Sequence, residues 1–193
     1  WYLPKFAGLD PETGESLFYK DIIDGEGNVT GQETTKDASQ ATDYLIGDAL
    51  PSFYGGLGTS LSFYGFDFSI NLNYQLGGKA YDYTYQTLMH SSGTTATTWH
   101  TDILKAWSPE NTNTNIPRLR FAETYSQNPR SDRFITNASY LNIQNINLGY
   151  TLPASITQKY NIQNIRVYFS GENLFYFSAR RGFDPRYTLK GYS

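Results

Sequence analysis

The sequence contains no cysteine and no run of about 18 apolar residues. The first absence excludes disulfide bonds, thiolate metal ligands and cysteine nucleophiles. The second excludes a transmembrane helix, which needs about 20 predominantly apolar residues. Charge is also sparse, because Asp, Glu, Lys and Arg make up 17% of the residues and the net charge is -3. With an isoelectric point near 5.3, the chain lacks the basic surface that binds nucleic acid.

Aromatic residues are abundant, at 17% of the sequence, with 17 Tyr and 12 Phe. Tyrosine enrichment is typical of the aromatic girdles of outer-membrane barrels, and it suits a carbohydrate-binding surface equally well. The mean hydropathy of -0.51 does not exclude a barrel, because half of each barrel strand is polar. No signal peptide is visible at the amino terminus, so we expect that Trp1 is not the natural start of the protein.

The most informative segment is Phe66–Leu76, where apolar and polar residues alternate without a break. This period of two predicts a strand with one apolar and one polar face. Eleven residues at ~3.3 Å each, tilted by ~45°, rise roughly 25 Å, the height of the lipid-facing band of a barrel. We therefore expect a lipid-facing set and a lumen-facing set of side chains. The lipid-facing set is Phe66, Phe68, Ile70, Leu72, Tyr74 and Leu76. The lumen-facing set is Asp67, Ser69, Asn71, Asn73 and Gln75.

The same kind of pattern predicts three further strands, at Leu57–Phe63, Tyr140–Leu152 and Ile165–Phe175. Tyr64-Gly65 predicts a tight hairpin turn before Phe66. The apolar phase of the second segment slips near Gln144-Asn145, which indicates either a bulge or a wall segment whose two ends face different surroundings. The aromatic cluster of residues 174–177 fits a girdle at a membrane rim.

The other regions are mostly loops. In residues 1–50 we expect a short strand at Ser16–Ile23, a turn at Asp24–Asn28 and irregular structure from Val29 to Thr42. Residues 77–137 form a long polar insertion. Within it, Trp99, Ile103 and Trp107 recur every four residues, which predicts one short amphipathic helix, capped by Thr98 or Thr101 and ended by Ser108-Pro109.

No residue pattern indicates catalysis, a cofactor or a metal site. The acidic turn lacks the ligand spacing of a calcium loop, His90 and His100 have no obvious third metal ligand, and the carboxylates form no evident catalytic pair. Loop residues could instead contact a ligand or a partner, although packing and solvated charge are the commoner roles. These candidates are Trp99, Trp107, Arg118, Arg120, Arg130, Arg133, Arg180 and Arg181.

Several segments, in this order and spacing, resemble the late barrel of SusC/RagA-type TonB-dependent outer-membrane transporters. The strongest match is Ser139–Pro153. The others are Gly8–Gly14, Leu50–Leu57, Tyr64–Ser69, Trp107–Asn111, Ile116–Arg118, Gly171–Phe175 and Gly182–Pro185.

The resemblance implies an all-β fold, a fragment of an antiparallel transmembrane barrel of about 22 strands with long extracellular loops. Residues 1–193 would be its carboxy-terminal portion, without the plug, the early strands and the last strand. It also implies TonB-dependent import of oligosaccharides or peptides across the outer membrane. The partners would be a SusD-like surface lipoprotein, and TonB through the missing amino-terminal part. No cofactor and no chemistry on the substrate are implied.

Strand order predicts which connections share a side of the membrane. Tyr64-Gly65 and residues 153–164 would be inner turns. Residues 77–137, residues 176–193 and most of residues 1–50 would be extracellular. The alternatives are a soluble all-β carbohydrate-binding module, which would fold alone in water, and, less favoured, an all-β hydrolase.

Overall fold

The computed structural model describes residues 1–89, 98–119 and 128–186. No helix within these ranges is long and apolar enough to cross a bilayer. The chain divides into two compact units, the first made of residues 1–49 and 79–136 and the second of residues 50–78 and the chain from residue 137 onward. The strands are β1 (Tyr2–Pro4), β2 (Phe6–Leu9), β3 (Ser16–Ile23), β4 (Val29–Thr35), β5 (Asp43–Leu45), β6 (Phe53–Phe63), β7 (Phe66–Leu76), β8 (Lys79–Tyr81), β9 (Ile135–Asn137), β10 (Tyr140–Thr151) and β11 (Arg166–Ser178). The α-helices are α1 (Tyr83–Leu88) and α2 (Ala154–Thr157), and the 3₁₀ helices are Ala38–Gln40, Thr101–Lys105, Asp132–Phe134 and Gln158–Tyr160.

The second unit is built on one antiparallel sheet with the strand order β11-β10-β7-β6. β7 has the predicted bounds, whereas β6 begins earlier and β11 ends later than the sequence pattern indicates. Tyr64 and Gly65 join β6 to β7 with φ angles of 48° and 84°. Positive φ at both central residues is what a two-residue hairpin turn of the I′ type requires, so the predicted hairpin is confirmed.

A bulge in β10 explains the slipped apolar phase. The register breaks between Ile143 and Asn145, against β7 and against β11. Before the break Leu141 pairs with Tyr74, and after it Ile146 pairs with Ile70. Gln144 is therefore an extra residue that keeps both apolar phases on one face, and the alternative of two different surroundings is wrong.

The two ends of the sheet differ in their connections. Thr151 N donates to Gly65 O over 2.7 Å, so the β6–β7 hairpin and the β10–β11 connection lie at the same end, called the turn end below. α2 and the 3₁₀ helix Gln158–Tyr160 form about half of that second connection. The long β7–β10 connection, residues 77–139, leaves from the opposite end, called the loop end.

The first unit contains the sheet β2-β3-β4 and the pairs β1-β5 and β8-β9. The predicted strand Ser16–Ile23 and the turn Asp24–Asn28 are confirmed. The expectation of irregular structure from Val29 is wrong for β4, which pairs with β3 along its length. β4 has no large apolar residue after Val29, so hydrophobic periodicity could not reveal it.

The predicted helix around Trp99, Ile103 and Trp107 is replaced by the 3₁₀ helix Thr101–Lys105. This helix is capped by His100, whose Nδ1 accepts a hydrogen bond from Asp102 N over 3.1 Å. The predicted cap at Thr98 or Thr101 is therefore wrong. The backbone becomes extended at Ala106, so Trp107 lies outside the helix. The sequence reading also missed α1, which Asp82 caps by accepting from Tyr85 N over 2.8 Å.

Candidate functional site

One face of the second unit's sheet is polar across all four strands. Asn71 stands opposite Asn145 of β10, and Asn147 stands opposite Ser170 of β11. We call this surface the polar face. Its members in register are Tyr54, Ser60, Ser62, Asp67, Ser69, Asn71, Asn73, Gln75, Tyr140, Asn142, Asn145, Asn147, Thr151, Arg166, Tyr168, Ser170, Glu172, Tyr176 and Ser178.

Side-chain hydrogen bonds connect the middle of the polar face from strand to strand. Asn71 Nδ2 donates to Asn145 Oδ1 over 2.9 Å. Asn147 Nδ2 donates to Ser69 Oγ over 3.1 Å, and Asn147 Oδ1 accepts from Ser170 Oγ over 2.6 Å. These amides and hydroxyls form a polar surface of a kind that suits contact with water or with hydroxyl and amide groups of a ligand.

An ion pair crosses the polar face near the turn end. Arg166 Nη2 lies 2.6 Å from Asp67 Oδ2, and Arg166 Nε donates to Asp67 Oδ1 over 3.2 Å. Gly149 of β10 lies between the two strands, and a Cβ atom built there would be 2.5 Å from Asp67 Oδ1. The missing side chain at Gly149 therefore gives Asp67 and Arg166 room to meet over the intervening strand.

The opposite face is apolar and open. Leu57, Leu72 and Ile143 are direct neighbours on β6, β7 and β10. None of the six side chains predicted to face lipid is buried, and two of them, Phe66 and Leu76, are 44% and 52% exposed. The six predicted lipid-facing residues thus share the apolar face and the five predicted lumen-facing residues share the polar face, while their contacts with lipid and lumen stay a prediction.

Aromatic residues mark both ends of the apolar face. At the turn end, the ring of Phe66 lies 5.8 Å from that of Phe63 and 4.4 Å from that of Tyr150. At the loop end, the rings of Phe175 and Phe177 stack at 6.5 Å. The predicted cluster of residues 174–177 is therefore divided, because Tyr176 belongs to the polar face. Aromatic ends around an aliphatic centre are typical of a lipid-facing barrel surface.

The candidate loop residues of the first unit have separate environments. Trp99 is 42% exposed. Trp107 is half-buried, and its ring occupies the space where Gly14 would carry a Cβ atom, which is a packing role. Arg133 lies over the rings of Phe6 and Phe134, each at 5.5 Å, and burial lowers its pKa to about 10.

Of the remaining arginine candidates, Arg180 of the second unit is half-buried, and its carbonyl oxygen accepts from Phe183 N over 3.2 Å. Arg130 is exposed, and Arg118 pairs with Glu15. His90 and Arg120 lie outside the described residues. Within residues 1–89, 98–119 and 128–186, no group of three or more His, Cys, Asp or Glu side chains could hold a metal ion. Asp24 of the acidic turn accepts backbone hydrogen bonds from Glu26 and Asn28 instead.

Sequence reasoning missed a charge network that joins three distant segments of the first unit. Lys36 Nζ lies 2.6 Å from Asp10 and 2.6 Å from Glu15. Glu15 also pairs with Arg118. The hydrogen bond from Lys36 lowers the pKa of Asp10 to about 2 and lowers the pKa of Glu15 as well. The network holds the turn at residues 10–15 against β4 and against the loop that carries Arg118.

We expect this network to weaken only in strong acid. A carboxylate whose pKa is depressed by folding stabilises the fold above its unfolded pKa, about 3.9 for Asp, and loses that contribution as the pH falls through the folded value. The contribution of Asp10 should therefore be constant near neutral pH, decline below about pH 4 and be largely lost at about pH 2. The measurement is hydrogen–deuterium exchange of residues 10–18 in Lys36→Met and in wild type. The difference between the two proteins at each pH reports the contribution of the network.

Lys20→Met is the matched control, because Lys20 pairs with a single carboxylate, Glu33, at 2.9 Å. Lys36→Met should expose the 10–18 segment at pH 7 and differ much less from wild type at pH 2, and Lys20→Met should leave it unchanged. A Lys36→Met difference that is the same at pH 7 and at pH 2 would contradict the assignment.

Comparisons with known proteins agree on one kind of protein. No family model matches the chain. TonB-dependent receptor P3 of Formosa agariphila is 33% identical over 176 residues, which are 91% of this chain and 16% of the relative. TonB-dependent receptor SusC of Bacteroides thetaiotaomicron is 30% identical over 131 residues, 67% of this chain and 12% of SusC.

The fold has solved counterparts. The RagAB peptide importer in its closed-closed state matches with a TM-score of 0.72 and 26% identity, covering 96% of this chain and 20% of that chain. Its open-open state matches with a TM-score of 0.68. The chain thus spans about a sixth of the length of P3.

Proposed function

This chain belongs to the SusC/RagA type of TonB-dependent receptors of the bacterial outer membrane, and from that premise we propose that it forms part of the wall of an import barrel. The polar face would line the wet interior or face the plug, and the apolar face would contact lipid. The imported ligand would be an oligosaccharide or a peptide. The fragment would do no chemistry on it.

The observation that carries this proposal is the division of the sheet into two faces. The apolar face has aromatic ends and open aliphatic side chains between them, such as Leu57 at 63% exposure. A soluble carbohydrate-binding module would be expected to bury so large an apolar surface. The polar face instead carries a connected set of amides and hydroxyls.

The edges of the sheet define what the rest of the protein must supply. β6 and β11 are the outer strands. Unpaired backbone groups are not tolerated in the hydrocarbon region of a bilayer, and about eight strands are the smallest closed barrel. The proposal therefore requires further strands beside β6 and β11 from the remainder of the receptor, of which residues 1–193 would be the carboxy-terminal barrel portion.

The import cycle would use two partners. The solved RagAB structure is named a peptide importer, and by analogy a SusD-like lipoprotein would cover the barrel from outside the cell. TonB would act through the amino-terminal part of the receptor. The long β7–β10 connection would place the loop end outside the cell, and the turn end would face the periplasm, because outer-membrane barrels have short periplasmic turns.

Cysteine labelling at adjacent positions of β7 tests the two faces. The chain has no cysteine of its own, so Asn71→Cys and Ile70→Cys can be compared in a full-length receptor freed of any other cysteine. We expect a charged maleimide to modify Asn71→Cys in outer membranes, because thiol reactivity follows exposure to water. Ile70→Cys should react only with a lipid-soluble maleimide.

Both variants must first be shown to assemble, by their resistance to unfolding in cold SDS. Equal labelling of the two positions by the charged reagent would reject the proposal, and so would the reverse preference. Ser69→Cys and Phe68→Cys form a second adjacent pair that must behave like the first.

A further inference from the structure

A cavity of about 660 Å³ lies at the loop end of the polar face. Residues of β10 and β11 and of the turn after β11 line it. The polar or charged members of its lining that matter here are Asn142, Asn173, Tyr176, Arg181, Asp184 and Arg186.

The turn after β11 is fixed onto the end of the sheet by Ser178. Its Oγ lies 2.7 Å from Arg180 O and 2.8 Å from Phe183 O, and Phe183 N donates to Arg180 O over 3.2 Å. Gly182 takes a φ of +81° inside this turn, a conformation that favours glycine. These bonds define the backbone position of Arg181 beside the cavity.

Arg186 is already neutralised within the cavity wall. Its Nη2 lies 2.6 Å from Asp184 Oδ2, and its Nε lies 2.9 Å from Asp184 Oδ1. The guanidinium also covers the rings of Tyr176 and Tyr140, at 4.9 Å and 5.8 Å. A group with one carboxylate bound and two rings beneath it has little capacity left for a ligand charge.

Arg181 differs from Arg186 in this respect. It is exposed, it lines the same cavity, and it makes no ion pair or hydrogen bond with any residue that the structure describes. The described lining carries Arg181 and Arg186 against the single carboxylate of Asp184, so one positive charge is not compensated.

Asn173 adds a neutral donor to the wall. Asn173 and Leu174 are the two residues of β11 that lie opposite the register break of β10. Asn173 has a φ of 51° and is exposed. Its Oδ1 accepts from Nδ2 of the buried Asn142 over 3.4 Å. That bond orients the Asn173 amide, whose Nδ2 has no acceptor among the described residues and remains able to donate to a ligand.

We propose that this cavity binds a carboxylate of the imported ligand, with Arg181 as the pairing cation and Asn173 Nδ2 as a second donor. A planar guanidinium and a carboxylate form two parallel hydrogen bonds, which favours an acid group over a neutral one. The carboxylate can come from an acidic sugar or from an acidic peptide. The inference rests on the proposed function, because the polar face must be open to the barrel interior.

The test is calorimetric titration of the full-length receptor in detergent with two pairs of probes. Tetragalacturonate is compared with neutral maltotetraose, and tetraglutamate with tetraglutamine, both peptides being N-acetylated and C-amidated so that the glutamine peptide carries no carboxylate. We expect one acidic probe to bind more tightly than its neutral partner. Arg181→Gln should weaken that acidic probe by about 3- to 10-fold, the range for an exposed charged hydrogen bond, and leave the neutral probe unchanged.

Lys159→Gln is the matched control, because it removes an equal charge from an exposed position at the turn end of the same sheet. It should leave all four affinities unchanged. Arg181→Lys keeps the charge and should retain part of the acidic preference. A preference for tetragalacturonate assigns the site to acidic sugars, and a preference for tetraglutamate assigns it to peptides.

Two results would overturn the inference. One is a wild-type receptor that prefers neither acidic probe. The other is an acidic affinity that Arg181→Gln and Lys159→Gln reduce equally, or that neither reduces. The cysteine labelling of β7 is independent of these titrations, so a receptor with the expected labelling and no acidic preference rejects this inference alone.

Discussion

Leu72→Arg is expected to reduce strongly the amount of folded receptor in the outer membrane. Leu72 lies near the middle of β7 on the apolar face, between Leu57 and Ile143 of the neighbouring strands. An arginine on the lipid side of a barrel costs about 2–4 kcal/mol at the bilayer midplane. The net stability of a folded domain is typically about 5–15 kcal/mol, so this single change removes a large share of it.

Asn73→Arg is the matched control, one residue further along the same strand and on the polar face. Its neighbour on β6 is Gly56, which has no side chain and leaves room for the longer arginine. Asn73→Arg should assemble nearly as well as wild type. The measurement is the fraction of receptor in isolated outer membranes that resists unfolding in cold SDS. Equal tolerance of arginine at both positions would reject the orientation of the sheet.

Gly65→Ala is expected to destabilise the barrel by about 2–3 kcal/mol, from left-handed backbone strain and a steric overlap. Gly65 has a φ of +84°. A Cβ atom built on it would lie 2.6 Å from Thr151 O, an atom of the backbone that cannot move without disturbing β10. The overlap also opposes the hydrogen bond from Thr151 N to Gly65 O, which joins the two short connections at the turn end.

Gly27→Ala separates the two contributions. Gly27 has a similar φ of +89°, but a Cβ atom there would have no neighbour within 4 Å. It should therefore show only the backbone strain, about 1 kcal/mol. The denaturation midpoint of the full-length receptor in detergent, measured for both variants, gives the comparison. Equal shifts for Gly65→Ala and Gly27→Ala would show that the contact with Thr151 does not matter.

The strand β7 was predictable to its last residue, because alternation over its whole length leaves one period and one pair of faces. The slip in β10 was recognisable but ambiguous. A local pattern does not distinguish an inserted residue from a change of surroundings, and only the pairing with β7 shows that Gln144 is the insertion. β4 carried no such pattern and was missed.

In the segment around Trp99 the sequence pattern predicted a helix that the structure does not contain. A spacing of four residues fits a helix, yet the three side chains have three different roles. Ile103 packs with Met89 and Ile116 in a small core, Trp107 packs on Gly14, and Trp99 is exposed. Contacts with distant residues decide the conformation here, because short helices gain most of their stability from packing and little from intrinsic propensity.

The amino-acid sequence alone specifies the strand Phe66–Leu76, its two faces and the turn before it, because all of these follow from the conformations of neighbouring residues. Three features belong to the folded molecule alone, namely the ion pair of Asp67 with Arg166 over Gly149, the Lys36 network and the cavity that Arg181 and Asn173 line together. Their partners are brought together by strand register and by chain reversals. Residues far apart in sequence leave no local pattern that predicts such contacts.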